Sequence, residues 1–264
     1  MTDRKQECFL TIKENLSYRF REIYGQMQFA EQGVAPKPGR VSDVIGALTA
    51  HIRGNELMPG DRLPSEAVLS KQLNVSRTVV REALRSLAAM RIIELNVGRR
   101  ATVAQLDHGP LSLLIEHGVH TEQINVQQIY DVRRTIEARI VALAALRRSD
   151  AEAAEILRIA VAMRAAKAEP EILMERDLDF HAALADASKN PVFALIVNAF
   201  RGITRQTWPI GWRSRTTDSA RETMLETHLA IARAISAGDP REAARLMGLH
   251  FDESVRALLD AGLA

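Results

Sequence analysis

Apolar residues recur at helical spacing through two separate stretches of the chain. In the first, Val41, Val44, Ile45, Leu48 and Ile52 predict an amphipathic helix that Gly54-Asn55 ends. A Pro/Gly-rich turn, Met58 to Pro64, leads to Ser65, which is placed to cap a short second helix running to Leu73. Asn74-Val75 makes a tight turn. Val80, Ala83, Leu84, Leu87 and Met90 then share the buried face of a third helix, with Arg77, Thr78, Arg81 and Arg85 opposite and Ser76 as its cap. Ile92–Asn96 and Ala101–Ala104 have strand character, and Val97-Gly98-Arg99-Arg100 between them supplies a basic turn. Helix, turn, helix and basic hairpin form the layout of a winged helix-turn-helix DNA reader.

From Leu111 onward the pattern is helical, without a convincing strand. Ile129, Val132, Ile136, Ile140 and Leu143 define one helix. Ser149-Asp150-Ala151-Glu152 reads as a capping box opening the next, and a third spans about Glu171 to Ala187. Asn190-Pro191 opens a fourth, and two more cover roughly Ser219–Ala237 and Pro240–Leu259, with Asp239 and Glu242 boxing the last. Trp208-Pro209-Ile210-Gly211-Trp212 interrupts the helical rhythm. The expected fold is mainly α: a winged helix-turn-helix domain over residues 41–106, then an antiparallel all-α bundle of six or seven helices over 107–264. Residues 1–40 form an N-terminal extension of unknown function. Phe9, Leu10, Ile12, Leu16, Phe20, Ile23, Tyr24 and Met27 could line a helix there, and Gly33 to Gly39 reads as a linker.

Composition sharpens this picture a little. Only 5% of residues are aromatic against 47% hydrophobic, which favours helices. One cysteine, Cys8, excludes an intramolecular disulfide; with no secretory signal and no membrane-length apolar run, the expectation is a cytoplasmic protein without a membrane partner. Residues 41–106 hold 9 basic and 6 acidic side chains, and residues 107–264 hold 19 and 22, so the net charges are +3 and −3. A basic module beside a slightly acidic one agrees with a nucleic-acid reader attached to a different kind of domain.

Gly60-Asp61-Arg62-Leu63-Pro64-Ser65-Glu66, Val75-Ser76-Arg77-Thr78-Val79-Val80-Arg81-Glu82-Ala83-Leu84 and the Gly98 turn, in that order, resemble the winged helix-turn-helix of GntR-type transcription regulators. The resemblance covers residues 41–104 and implies binding to double-stranded operator DNA. It places Ser65, Ser76, Arg77, Thr78, Arg81, Arg99 and Arg100 at the interface. Arg77 and Arg81 are expected to read bases, because a guanidinium fork matches guanine O6 and N7. Ser76 and Thr78 are expected on phosphates, and Arg99 and Arg100 on the backbone or in the minor groove. Two positions depart from the family pattern. Ala67 stands where members often carry an arginine, and Val97 where some carry a polar base reader. The operator sequence is therefore not transferable from relatives.

In the second domain Asp177 and His181 are four apart on one helix, and His228 and His250 each lie 11 residues from Asp239 at a predicted hairpin turn. In an antiparallel pair that symmetry sets both imidazoles at one level. Spacing alone leaves open whether the four are metal ligands or structural. His117 and His120, three apart, read as surface residues. The segment Asp177-Leu178-Asp179-Phe180-His181, with His228, Gly238-Asp239 and His250, resembles the ligand domain of the FadR-type branch of GntR regulators over residues 110–260. The resemblance implies that Asp177, His181, His228 and His250 bind a divalent metal, zinc first and nickel or manganese as options. It further implies a small organic acid or sugar acid effector at the metal, contacted by Arg133 of the Arg-x-x-x-Glu segment. An ion pair between Arg133 and Glu137 is the structural alternative.

The expected protein is a homodimeric transcription regulator, a repressor released by a carboxylate, rather than an enzyme. One rival is direct sensing of the metal. The other is a metallohydrolase with a DNA-binding appendage, for which only Asp179 offers itself as a general base.

Overall fold

A computed structural model describes residues 41–262. The helix expected through Phe9–Met27 and the linker at 33–39 lie outside the described residues. The chain divides into two compact units between Val103 and Ala104.

The first unit holds α1 (Val41–Gly54), α2 (Glu66–Leu73), α3 (Arg77–Ala89), β1 (Ile93–Glu94) and β2 (Thr102–Val103). Its core is Val44, Leu48, Leu63, Leu69, Val80, Ala83, Leu84, Leu87, Ile93 and Ala101, all buried. Met90, expected on the buried face of α3, is exposed, because the helix stops at Ala89 and Met90 is its C-cap. Asn74 closes α2 in the left-handed region (φ 51°), so its backbone turns the chain directly into α3. The hairpin strands are shorter than their residue types suggest. Only Ile93–Val103 and Glu94–Thr102 pair, while the loop that carries Arg62 adds a third edge, Leu63 N–H donating to Ala101 O at 2.8 Å. Residues 95–100 are left as an exposed turn, with Gly98 at φ 72°.

The second unit is a bundle of eight helices: α4 (Gly109–His120), α5 (Val126–Arg147), α6 (Asp150–Ala165), α7 (Pro170–Ala187), α8 (Pro191–Ala199), α9 (Arg201–Ser214), α10 (Asp218–Ser236) and α11 (Pro240–Asp260). This exceeds the expected six or seven for two reasons. Gly109–His120 is a helix of its own, and the Trp208–Trp212 segment lies inside α9 instead of breaking the rhythm. Pro209 is accommodated there, since its fixed φ is helical and it forfeits only one backbone bond. Helix α5 packs along α11 and also on α7, α6 packs on α7 and α10, and α10 forms a hairpin with α11. The shared core includes Ile140, Ile156, Met163, Leu173, Phe180, Leu184, Ile231, Ile235, Met247 and Phe251. Each large side chain withdrawn from water contributes on the order of 1.5–3 kcal/mol, enough to fix these helices against one another.

Helix ends follow local chemistry. Ser149 and Glu152 make the reciprocal capping box, as do Asn125 and Gln128. Gly238 (φ 70°) reverses the chain between α10 and α11, and Asp239 caps α11 by accepting from Arg241 and Glu242. The expected return bond from Glu242 is absent: its carboxylate pairs with Arg245 at 2.7 Å. Val132, placed on the buried stripe of α5 by its spacing, is 48% exposed. Arg133 and Glu137 are buried on that helix instead.

Candidate metal centre and nucleic-acid interface

In the bundle, α7, α10 and α11 bring His181, His228 and His250 together. All three are buried, and each offers a ring nitrogen within 4.8 Å of the others. His228 and His250 stack edge-to-face with centroids 4.5 Å apart, the meeting that their equal distances from the Gly238-Asp239 turn predict. Asp177, one helical turn before His181 and also buried, sits at the edge of the triplet, its Oδ1 2.9 Å from His228 Nε2. Phe180 closes the floor, with its ring edge-on to His228 at 5.2 Å.

Proton positions follow from the outer partners. His228 Nδ1 lies 2.8 Å from the carbonyl oxygen of Met224, which can only accept, so Nδ1 carries the hydrogen. The other ring nitrogen, Nε2, faces the cluster: it is fully buried, makes no well-aligned hydrogen bond, and lies 2.9 Å from Asp177 Oδ1. His181 Nδ1 contacts Glu137 Oε2, which fixes that hydrogen outward and frees Nε2 for the cluster. Carboxylate behind imidazole is the usual outer support of a ligating histidine. Burial, followed by the neighbouring imidazoles of His228 and His181, holds His250 well below its ordinary pKa and therefore neutral. Burial works to raise the Asp177 carboxyl, but the surrounding histidines outweigh it and hold the group ionised below the usual carboxylate range. Three buried imidazoles, His250 among them kept neutral, and a carboxylate kept charged form a donor set that fits a divalent cation.

Beside the cluster is a small, partly open cavity of about 30 Å³. Asp177, His181 and His250 line it, and Tyr130, Arg133, Thr204, Thr207, Arg215 and Ser254 are among its other polar groups. Arg133 donates from Nε to Glu137 at 2.8 Å and from Nη1 to Thr204 at 3.0 Å, with its guanidinium over the rings of Phe251 and Tyr130. The ion pair that sequence offers as the alternative for Arg133 is thus present, and the same arginine also faces the cavity. Two bonds leave the remaining hydrogens of its fork uncommitted to either partner. Trp208 contributes to the wall and stacks on Trp212 at 5.4 Å. The sequence places Glu137 only beside Arg133, so its contact with His181, and the presence of Arg215, are parts of this site that the pattern does not single out. Glu137 carries a signal, a charge in register with the apolar stripe of α5, whereas Arg215 carries none. His117 and His120 lie on α4, away from the cluster.

In the first unit, Ser65 and Ser76 are the caps of α2 and α3, accepting from Val68 and Val79 backbone N–H at 3.4 and 3.3 Å. Arg77 and Thr78 are exposed at the start of α3. Arg81 is engaged: its fork donates to both oxygens of Glu66, at 2.8 and 3.3 Å. Arg99 and Arg100 are exposed in the turn, and Val97 is fully exposed beside them.

Residues 40–103 match the family described as bacterial regulatory proteins, gntR family, and residues 128–253 match the FCD domain. The chain is 31% identical over 203 residues to the transcriptional regulator LutR of Bacillus subtilis, covering 75% of this chain and 92% of that one. This chain belongs to the GntR family of transcription regulators. The galactonate operon transcriptional repressor of Escherichia coli is 29% identical over 218 residues, covering 80% and 92% of the two chains. The repressor NanR of Escherichia coli is 30% identical over 214 residues, covering 78% and 79%. Among solved structures, a Streptococcus agalactiae GntR protein superposes with a TM-score of 0.56 at 24% identity, covering 82% of this chain and 99% of that one, a likeness of fold. GntR proteins regulate transcription and are not enzymes, which removes the metallohydrolase reading. No helix among the described residues is long and apolar enough to cross a membrane.

Proposed function

We propose that this GntR regulator is a homodimeric repressor whose grip on operator DNA is loosened by a small organic or sugar acid bound beside a divalent metal. Asp177, His181, His228 and His250 would hold the metal, zinc in the first instance. The observation that carries this reading is the convergence of three buried imidazoles, their nitrogens within 4.8 Å of one another, with Asp177 Oδ1 2.9 Å from His228 Nε2. When bound, the metal supplies a Lewis-acidic anchor for a carboxylate oxygen. The chain's own groups do the rest. Glu137 orients His181, Met224 O orients His228, and Arg133 offers the free side of its fork to the same carboxylate. Thr204 holds that arginine in place while its own hydroxyl donates to Phe200 O.

The acid class is supported by the family, one of whose members is named for the operon of galactonate, a sugar acid. On the DNA side, Arg77 and Arg81 are the proposed base readers, with Ser65, Ser76 and Thr78 on the sugar-phosphate backbone and Arg99 and Arg100 on the backbone or in the minor groove. Effector binding acts by population shift: it favours the bundle arrangement that holds the two readers at the wrong spacing for an operator.

The test is metal content by mass spectrometry on protein purified without chelator, followed by a thermal-shift screen of organic acids. About one metal per chain is expected, lost in His228→Ala, together with an acid-dependent rise in Tm that requires the metal. Absence of metal after reloading would sink the proposal. Metal-dependent operator binding that no acid alters would replace it with direct metal sensing.

A further inference from the structure

The charges of the cavity do not balance in the same way on its two arginines. Arg133 is neutralised by Glu137 at 2.8 Å. Arg215, just beyond the end of α9, faces the same cavity and has no carboxylate at ion-pair distance among the described residues. Its guanidinium is anchored by one bond, Nη1 donating to the carbonyl of Gly211 at 2.7 Å. A Cβ at Gly211 would stand 3.4 Å from Arg215 Nη1, so the guanidinium lies close against the helix. Burial dominates the charge balance of Arg215 and pulls its basicity below the ordinary arginine value, while Asp177 and Glu253 oppose it from a greater distance. A half-buried guanidinium with only a carbonyl for company is incompletely compensated.

Its position is also informative. Arg215 is shared between the cavity and an adjoining surface groove lined by Thr216, Glu253, Arg256 and Asp260. It therefore stands where the two meet. The anchors of the two arginines lie on one helix: Thr204 holds Arg133, and Gly211 holds Arg215. Seven residues of α-helix are about two turns, or roughly 10 Å along the axis. One carboxylate cannot engage both forks across that span, whereas the two ends of a short-chain diacid can.

We propose that the effector carries two anionic groups, one held beside Arg133 and the metal ligands, the other held by Arg215 at the outer end of the cavity. This rests on the cavity being the effector site. Arg215 is then the residue that selects a dicarboxylate over a monocarboxylate. The selection follows from charge, since a monoacid leaves Arg215 uncompensated and a diacid supplies the missing partner.

The experiment is calorimetric titration of the metal-loaded full chain with matched acids: succinate against butyrate, glutarate against pentanoate, malate against 3-hydroxybutyrate. The diacid of at least one pair is expected to bind about ten-fold or more tightly than its partner, a difference of one charge-assisted contact. Arg215→Gln should bring the pair to within about two-fold by weakening the diacid alone, with metal content unchanged, and Arg215→Lys should restore part of the preference. Equal binding of monoacids and diacids by the unaltered protein, or a preference that survives in Arg215→Gln, would overturn the inference while leaving the metal-and-acid reading intact. If no acid binds, or binding persists after the metal is stripped, the effector reading itself fails and this inference falls with it.

Discussion

Arg77 and Arg81 share one exposed face of α3 yet start from different states. Arg77 extends into solvent, whereas Arg81 is committed to Glu66 by two hydrogen bonds. Magnitudes decide whether that commitment blocks a base-reading role. An exposed ion pair contributes about 0–1 kcal/mol, and a bidentate arginine–guanine contact about 1–3 kcal/mol of discrimination, so exchange of partners is favourable. Glu66 then holds the Arg81 fork extended before DNA arrives, which lowers the ordering cost. Arg77 tests the interface most cleanly because its exposed side chain packs into no core. Arg77→Ala is expected to weaken binding to the specific operator about 10- to 100-fold in fluorescence anisotropy, with Tm altered by less than about 2 °C. An unchanged operator affinity would remove Arg77 from the base readers. At this scale the sequence is informative where a residue's partner is close along the chain or related by a symmetric turn. His228 and His250 pair on the strength of chain spacing alone, because Gly238-Asp239 fixes their register. The contact of Glu137 with His181, and the isolation of Arg215, depend on the meeting of distant segments that no local pattern encodes.

Several helix starts are legible in the sequence because a side-chain cap marks them. Ser65, Ser76, Ser149, Asn190 and Asp239 all accept backbone N–H bonds at the helix starts assigned to them. Helix α9 is not legible: it begins directly after α8 with Phe200 as an uncapped junction and contains Pro209, so neither punctuation nor periodicity announces it. The wing reads longer in the sequence than it is, because strand character in Ile92–Asn96 and Ala101–Ala104 exceeds the pairing available, and Leu95 is left 46% exposed. The capping box of α6 gives a pH-dependent prediction. Glu152 accepts from Lys189 and from the backbone and hydroxyl of Ser149, which hold its carboxyl down to about 2 from 4.5. Between those values the unfolded chain binds the proton and the folded chain does not. The contribution of Glu152 is therefore complete above about pH 4.5 and fades as the pH falls towards 2. The group is near the surface and screened, so the effect is small. Glu152→Gln should lower Tm by about 1 to 3 °C at pH 7, and the gap should close on acidification. A gap that widens between pH 4.5 and about 3 would contradict this assignment of the proton.

The whole molecule joins a DNA-reading unit to a helical unit, and each is recognisable from its own sequence pattern because each has a separate core. Neither core reveals assembly. The case for two chains acting together comes from the reader itself. A single winged helix-turn-helix places one short α3 and one turn on DNA, and a contact of that size reads only a few base pairs. Selecting a site in a genome requires a second reader at fixed spacing, and two identical readers related by a two-fold axis require an operator with the same symmetry. The net charge agrees with this division: +3 over residues 41–106 favours phosphate contact, and −3 over residues 107–264 disfavours it. Operator DNA with both half-sites should therefore bind two chains per duplex, measured by light scattering or native mass spectrometry. Changing the half-site separation by about five base pairs turns one half-site to the opposite face of the helix and should cost about 100-fold or more in affinity. One chain per duplex, with affinity indifferent to the separation, would show that the bundle does not couple two readers, and control by an effector would then have to act within a single chain.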